Sequence, residues 1–158
     1  MATFGLTTVG ANAMGFNGGS ILGAGYALTE EGTVSKVTLR CRAQSGTANI
    51  QCAIYSGNTL KGSSGSVNVG TTAAWVDFNL TSPPTLAAAT YYLVFNCSAP
   101  IYVWYANSGA TGYQDDAVSF NTWPNPASLS SAGTFPCSIY ATYEIPVTDS
   151  YRQRVILI

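Results

Sequence analysis

Hydrophobic side chains recur at every second position along most of the chain. Val37, Leu39 and Cys41 alternate with polar or small residues, as do Ile50, Cys52 and Ile54, and Val76, Phe78 and Leu80. A longer series runs through Phe135, Cys137, Ile139, Ala141, Tyr143 and Ile145. This period of two marks strands with one face in a core. Turn-forming clusters separate the runs: Asn17-Gly-Gly-Ser, Glu31-Gly-Thr, Ser45-Gly-Thr, Ser56-Gly-Asn, Gly62-Ser-Ser-Gly, Ser82-Pro-Pro, Ser108-Gly-Ala-Thr-Gly and Pro124-Asn-Pro. The pattern predicts strands over 3–9, 22–29, 33–43, 48–56, 66–70, 74–80, 90–97, 100–106 and 134–145, with 107–133 a long, mostly irregular excursion. No capped amphipathic stretch of helical length interrupts them. The best helical candidate, Leu86-Ala-Ala-Ala, follows two prolines and runs into Thr90-Tyr-Tyr-Leu-Val-Phe, which has strand composition.

About eight to ten strands in one chain of this length predict an all-β fold, a two-sheet antiparallel β-sandwich. A jelly-roll-like order is expected, because a long crossing connection precedes the final strand. Residues 1–146 read as a single sandwich domain and 147–158 as an extended C-terminal arm. That arm leaves through Pro146 and a polar turn, carries Tyr151, Arg152 and Arg154, and closes on Val155, Ile156, Leu157 and Ile158. Four aliphatics left in water would each forgo about 25 cal/mol per Å² of burial, so the arm is expected to dock on a neighbour. Its arginines are expected to pair with acids there, or simply to keep an exposed tail soluble.

The 158 residues suffice for one domain and a core that needs no metal or disulfide. Only 8% of them are charged, and six basic side chains face seven acids. Nucleic acid is a poor partner on this count, since phosphate recognition needs clustered positive charge and the cations here stand singly or in pairs. The absence of histidine removes Ser-His-Asp and Cys-His catalysis, His metal ligation and His-based pH switching together. The opening Met1-Ala-Thr-Phe-Gly-Leu has neither the basic nor the apolar region of a signal peptide, and no apolar run reaches the length of a membrane span.

Cys41, Cys52, Cys97 and Cys137 form no C-x-x-C pair, so a zinc ribbon is not supported. A hairpin of 37–42 with 49–55 across Ser45-Gly46 would place Cys41 opposite Cys52. Without an export signal, buried reduced thiols acting as small hydrophobes are the favoured reading. Asn79-Leu-Thr and Asn96-Cys-Ser match the glycosylation acceptor pattern by chance in a chain rich in Ser and Thr.

Several stretches carry a resemblance together. They are Phe4-Gly-Leu-Thr-Thr-Val-Gly-Ala, Ala27-Leu-Thr-Glu-Glu-Gly-Thr-Val-Ser-Lys-Val, Ala53-Ile-Tyr-Ser-Gly, Trp75-Val-Asp-Phe-Asn-Leu, Leu86-Ala-Ala-Ala-Thr-Tyr-Tyr-Leu-Val and Ser138-Ile-Tyr-Ala-Thr-Tyr. They resemble a loosely defined family of β-sandwich modules, similar to carbohydrate-binding modules, found in phage virion proteins and prokaryotic surface proteins. The likeness covers nearly the whole chain. It lies mostly in core and turn residues, so it implies a fold far more than a ligand. In this family the turn before the Tyr-Tyr strand commonly holds Gly, where this chain has Ala89.

A glycosidase needs two carboxylates roughly 5–9.5 Å apart. The doublets Glu30-Glu31 and Asp115-Asp116 point to opposite faces of extended chain and form no such pair, so no enzyme is expected. Asp115 and Asp116 beside Gln114, with Asn107, could offer oxygens to calcium, but the ordered D-x-[DN]-x-[DN]-G spacing is missing. No metal or cofactor is assigned.

Glycan binding has the better claim. Sugars present apolar faces edged with hydroxyls, and Tyr102, Trp104, Tyr113 and Trp123 fall near the segment holding Asn107 and Gln114. Along β-period two, Ile101, Val103 and Tyr105 share one face and leave Tyr102 and Trp104 on the other. Trp75 is read as packing. Two functions follow. The favoured one is a non-catalytic virion structural protein, a phage-like decoration or fibre-associated subunit on the particle surface that docks on copies of itself or other virion subunits. The alternative is a glycan-binding attachment module with polysaccharide as its partner.

Overall fold

The computed structural model describes residues 1–147; the arm candidates Tyr151, Arg152, Arg154 and Val155 to Ile158 lie outside the described residues. The described chain forms fourteen strands in two antiparallel sheets, with no helix among them. The first sheet contains β1 (Ala2–Gly5), β2 (Asn12–Phe16), β4 (Gly32–Ala43), β8 (Ala74–Asn79), β9 (Thr85–Leu86), β11 (Ile101–Tyr105) and β14 (Ile139–Glu144). The second contains β3 (Ser20–Leu28), β5 (Ala48–Ser56), β6 (Thr59–Ser63), β7 (Val67–Val69), β10 (Ala89–Cys97), β12 (Thr111–Asp116) and β13 (Ser130–Thr134).

Many of these strands are pieces of one line. The long β4 pairs through Leu39 to Thr33 with β14 and through Ala43 to Cys41 with β11, both antiparallel and on the same side. β1 pairs with β14 and β2 with β11, so the outermost line is also broken in two. On the opposite side of β4 lie β8 and then β9. In the second sheet β6 and β7 share one flank of β5. Ten strand positions therefore hold the fourteen strands: four in the first sheet and six in the second. Without β12 and β13, four positions face four, and the chain crosses between them in jelly-roll order.

The count exceeds the expected eight to ten because periodicity does not report where a line breaks. β2, β6, β9, β12 and β13 are additions to the expected strands, and the expected 3–9 and 134–145 are shorter here. At the break in the outer line Gly5 has φ +119, and a Cβ there would lie 2.5 Å from the Ile139 carbonyl oxygen. Only glycine meets both demands. The segment between β11 and β14 leaves the first sheet, adds β12 beside β3 and β13 beside β12, and returns. Its expected irregularity is thus corrected: its first and last parts are sheet. Its two roots are joined by Ser138 N donating to Trp104 O at 2.8 Å and Ala106 N to Pro136 O at 3.0 Å.

A hairpin of 37–42 with 49–55 does not form. β4 and β5 lie in different sheets, and Gly46, at φ +58, turns the corner between them. Alternation is the same in a hairpin and in a strand pair that faces across a core, so it cannot distinguish them. Cys41 and Cys52 therefore meet from opposite sheets, both fully buried, and all four cysteines are free thiols. Burial pushes the Cys41 thiol up to about 12 and Cys97 to about 11. Burial likewise raises Cys52 and Cys137, and the nearby Cys41 adds to the shift of each.

The main core lies between the sheets, around Leu39, Ile50, Ile54, Phe78, Leu93, Phe95, Ile101 and Ile139. A second, smaller cluster lies on the outside of the second sheet. There Ile21, Ala53, Tyr55 and Val94 are covered by Val118 and Ala127 from the excursion, with Trp123 and Leu129 packed alongside. Tyr55 Oη donates to Pro124 O at 2.8 Å and Ala127 N to Asn58 O at 2.9 Å, which tie this cover down. The outside of the first sheet has no such cover among the described residues.

Candidate functional site

β4 sets the uncovered face. Val37, Leu39 and Cys41 point into the core, so the pleat sends Lys36, Thr38, Arg40 and Arg42 outward. β11 does the same with Ile101 and Val103 buried and Tyr102 and Trp104 half-buried on the outside, as its period of two predicts. Register then brings the two strands' outer side chains together, with Tyr102 directly opposite Arg42. The Arg42 guanidinium lies 4.7 Å from the centre of the Tyr102 ring, and that of Arg40 lies 5.5 Å from Trp104. Both are within the range of cation–π attraction.

On the far side of β4, Trp75 is paired with Arg40 in register. Its ring meets that of Tyr140 from β14 edge-on, with centroids 5.4 Å apart. Arg40 therefore has an indole on each neighbouring strand, and its Nε is buried without a hydrogen-bond partner among the described residues. Lower on the same face Lys36 Nζ donates to Asp77 Oδ2 at 2.6 Å, and Thr38 Oγ1 to Asp77 Oδ1 at 2.7 Å. The Lys36 hydrogen bond, helped by that of Thr38, holds the Asp77 carboxyl below the usual carboxylate range. This is the one ion pair among the described residues, so neither arginine has a carboxylate partner there.

The aromatic cluster expected around the excursion is divided by the fold. Tyr102 and Trp104 stay together. Tyr113, on β12, lies on the outside of the second sheet, stacked on Tyr92 with centroids 3.8 Å apart. Gly25 lies beneath the stack, where a Cβ would come within 3.1 Å of Tyr113 and 3.2 Å of Tyr92 and press on both rings. Trp123 belongs to the cover over the second sheet and is a packing residue, with Nε1 buried. Gln114 points the other way, into a cleft of about 260 Å³ between the sheets, lined also by Met14, Leu22, Tyr105 and Phe135. Its Nε2 donates to Asp116 Oδ1. Asn107 is exposed beside β2, where its Oδ1 accepts from Asn12 Nδ2 at 2.6 Å.

The acids are dispersed as well. Asp115 Oδ2 accepts from Ser128 N at 2.7 Å and anchors the cover, while Glu30 accepts from the Tyr143 hydroxyl at 3.3 Å. Asp115 is thus committed to the cover, and no three metal-ligating side chains converge among the described residues. Sequence reasoning passed over Arg40, Arg42, Trp75 and Tyr140 as members of one surface. The alternation in β4 already sends its cations outward; what was missing is which strand lies beside them.

Compared with protein-family models the chain matches none, and no curated protein matches it.

Proposed function

We propose that this chain is a non-catalytic surface module that works by adhesion, and that it attaches to glycan through the outer face of the first sheet. The observation that carries this reading is the bare outer face itself, on which Tyr102, Trp104, Trp75 and Tyr140 stand half-buried around two arginines, while on the opposite outer face Ile21, Tyr55 and Val94 lie under a cover. Half-exposed aromatic planes beside polar donors are what an apolar, hydroxyl-edged sugar ring requires. The dispersed acids support the non-catalytic part, since Asp77, Asp115 and Glu30 each serve a different local contact.

The test is a panel of soluble polysaccharides assayed by calorimetry against the native chain, Trp75→Ala and Trp104→Ala. At least one polysaccharide should bind, and each variant should weaken it about tenfold, the equivalent of about 1.4 kcal/mol. A panel that binds nothing, or binding untouched by both variants, refutes the reading.

A second reading, a virion surface subunit of the decoration or fibre-associated kind, has its own support. β13 is an edge strand whose five residues, Ser130 to Thr134, are all exposed and include neither a charge nor a proline. Natural edges are normally protected by such residues, so an open one suits pairing with a further copy. Ile145 and Val147 add exposed apolar surface at the C-terminal end of the described residues. Sedimentation analysis separates the readings: assembly predicts a defined oligomer that Ala132→Lys or removal of 151–158 disperses, whereas attachment alone predicts a monomer.

A further inference from the structure

We infer that the glycan bound by this face is acidic, with its carboxylate or sulfate groups taken by Arg40 and Arg42. The inference rests on the attachment reading above and names its ligand class. It begins from the geometry of β4. Two residues apart on one strand, the arginines leave the sheet about 7 Å apart on the same side. Each guanidinium is laid over a ring of β11, Arg42 over Tyr102 at 4.7 Å and Arg40 over Trp104 at 5.5 Å. An arginine held against an aromatic ring loses water on that side and much of its rotamer freedom, but keeps N–H groups that can grip a carboxylate or sulfate.

Nothing among the described residues neutralises these two cations. The carboxylate nearest in register, Asp77, is already occupied by Lys36 at 2.6 Å and by Thr38 at 2.7 Å. Arg42 spends one donor on the Ala43 carbonyl at 3.3 Å, and Arg40 Nε has no acceptor. Two neighbouring cations without a carboxylate partner, each partly desolvated by an aromatic ring, are stabilised when an anion reaches their remaining N–H groups. The guanidiniums also lie beside the Tyr102 and Trp104 rings, so a sugar stacked on this face meets two cations together with the aromatics. The face as built therefore favours a ligand bearing both an apolar ring and an anion.

Backbone access argues for polysaccharide over acidic peptide. β4 is paired with β11 on one side and, as far as Cys41, with β8 on the other, and β11 lies between β4 and β2, so no free strand edge lies under this face for an extended peptide. Peptide recognition by strand addition needs an edge, and this face has none beneath the arginines.

The experiment compares polygalacturonate, dextran sulfate and neutral dextran, each titrated into the native chain at 0.15 M salt, with polyglutamate and a single-stranded DNA as further polyanions. The expected result is binding of polygalacturonate or dextran sulfate at least tenfold tighter than dextran. The paired variant Arg40→Gln with Arg42→Gln should lose that tenfold, and Arg40→Lys with Arg42→Lys, which keeps the charge but not the fork, should lose several-fold. Lys61→Gln removes one charge away from this face and should change nothing. Circular dichroism and the melting temperature verify that the variants fold. Neutral dextran bound as well as the acidic polymers, or an unaffected Arg→Gln pair, overturns the inference and leaves the attachment reading standing. Tighter binding of polyglutamate or DNA overturns it in favour of another polymer class. Silence from every polysaccharide overturns the attachment reading as well.

Discussion

The two sheets of this sandwich have outer faces built from the same alternation and finished in opposite ways. On the second sheet, Ile21, Tyr55 and Val94 point away from the main core and are nonetheless buried, because residues 118–129 fold back over them. On the first sheet, Tyr102, Trp104, Trp75 and Arg40 occupy the corresponding outward positions and keep contact with solvent. Trp123 and Trp104 make the contrast sharp: one closes a hydrophobic cluster, the other supports an arginine on an open surface. Residue type alone thus says little about role. The presence or absence of a second layer decides whether an outward aromatic is cement or contact surface.

The largest difference between the two faces is expected at Ile21. If the covered face is a true core, Ile21→Ala should cost about 2–5 kcal/mol in urea unfolding, the range for large-to-small changes at fully buried sites. Trp104→Ala on the open face should cost less than about 1 kcal/mol; equal costs would make the open face core and end its candidacy as a binding surface. Next comes the cover itself. Trp123→Ala should destabilise by about 1–3 kcal/mol and raise amide exchange at Val94 and Tyr55 without touching exchange in β4, because the lost packing lies on one side only. Uniform protection across both sheets would contradict this.

The interior between the faces gives a third effect, small for each group. Cys41 keeps its proton in the folded chain up to about 12, against 9.0 for an ordinary thiol. The unfolded chain therefore ionises first, and stability falls as pH rises from the ordinary thiol range towards the folded value. For Cys41 at pH 10 the loss is roughly 1 kcal/mol, and the other three buried thiols act in the same direction. A stability profile that stays level from pH 8 to pH 10.5 would show that these thiols are not buried.

The smallest effect belongs to the open face. Lys36–Asp77 is solvent-exposed enough to be screened, so Asp77→Asn should cost under about 1 kcal/mol at neutral pH. Because the folded pKa of Asp77 is lowered, its contribution is present above the ordinary carboxylate range and is lost as pH falls through the folded value. The difference between native and Asp77→Asn chains should accordingly vanish in acid; a difference that persists at pH 2 would assign the cost to packing instead.

Much of this was legible in the chain. The pattern Val37-Leu39-Cys41 against Lys36-Thr38-Arg40-Arg42 determines which way each side chain of β4 points, since the pleat makes facing a local property. The same holds for Ile101 and Val103 against Tyr102 and Trp104, and for the all-β class as a whole. Neighbourhood, by contrast, is a property of the packed layers. β5 crosses to the other sheet instead of pairing with β4, Trp123 and Tyr113 join a different surface from Trp104, and Arg40 comes to lie between Trp104 and Trp75. Those outcomes depend on contacts between residues far apart in the chain, for which alternation carries no signal. A period of two states that a side chain faces outward, and only the packed layers determine what, if anything, meets it there.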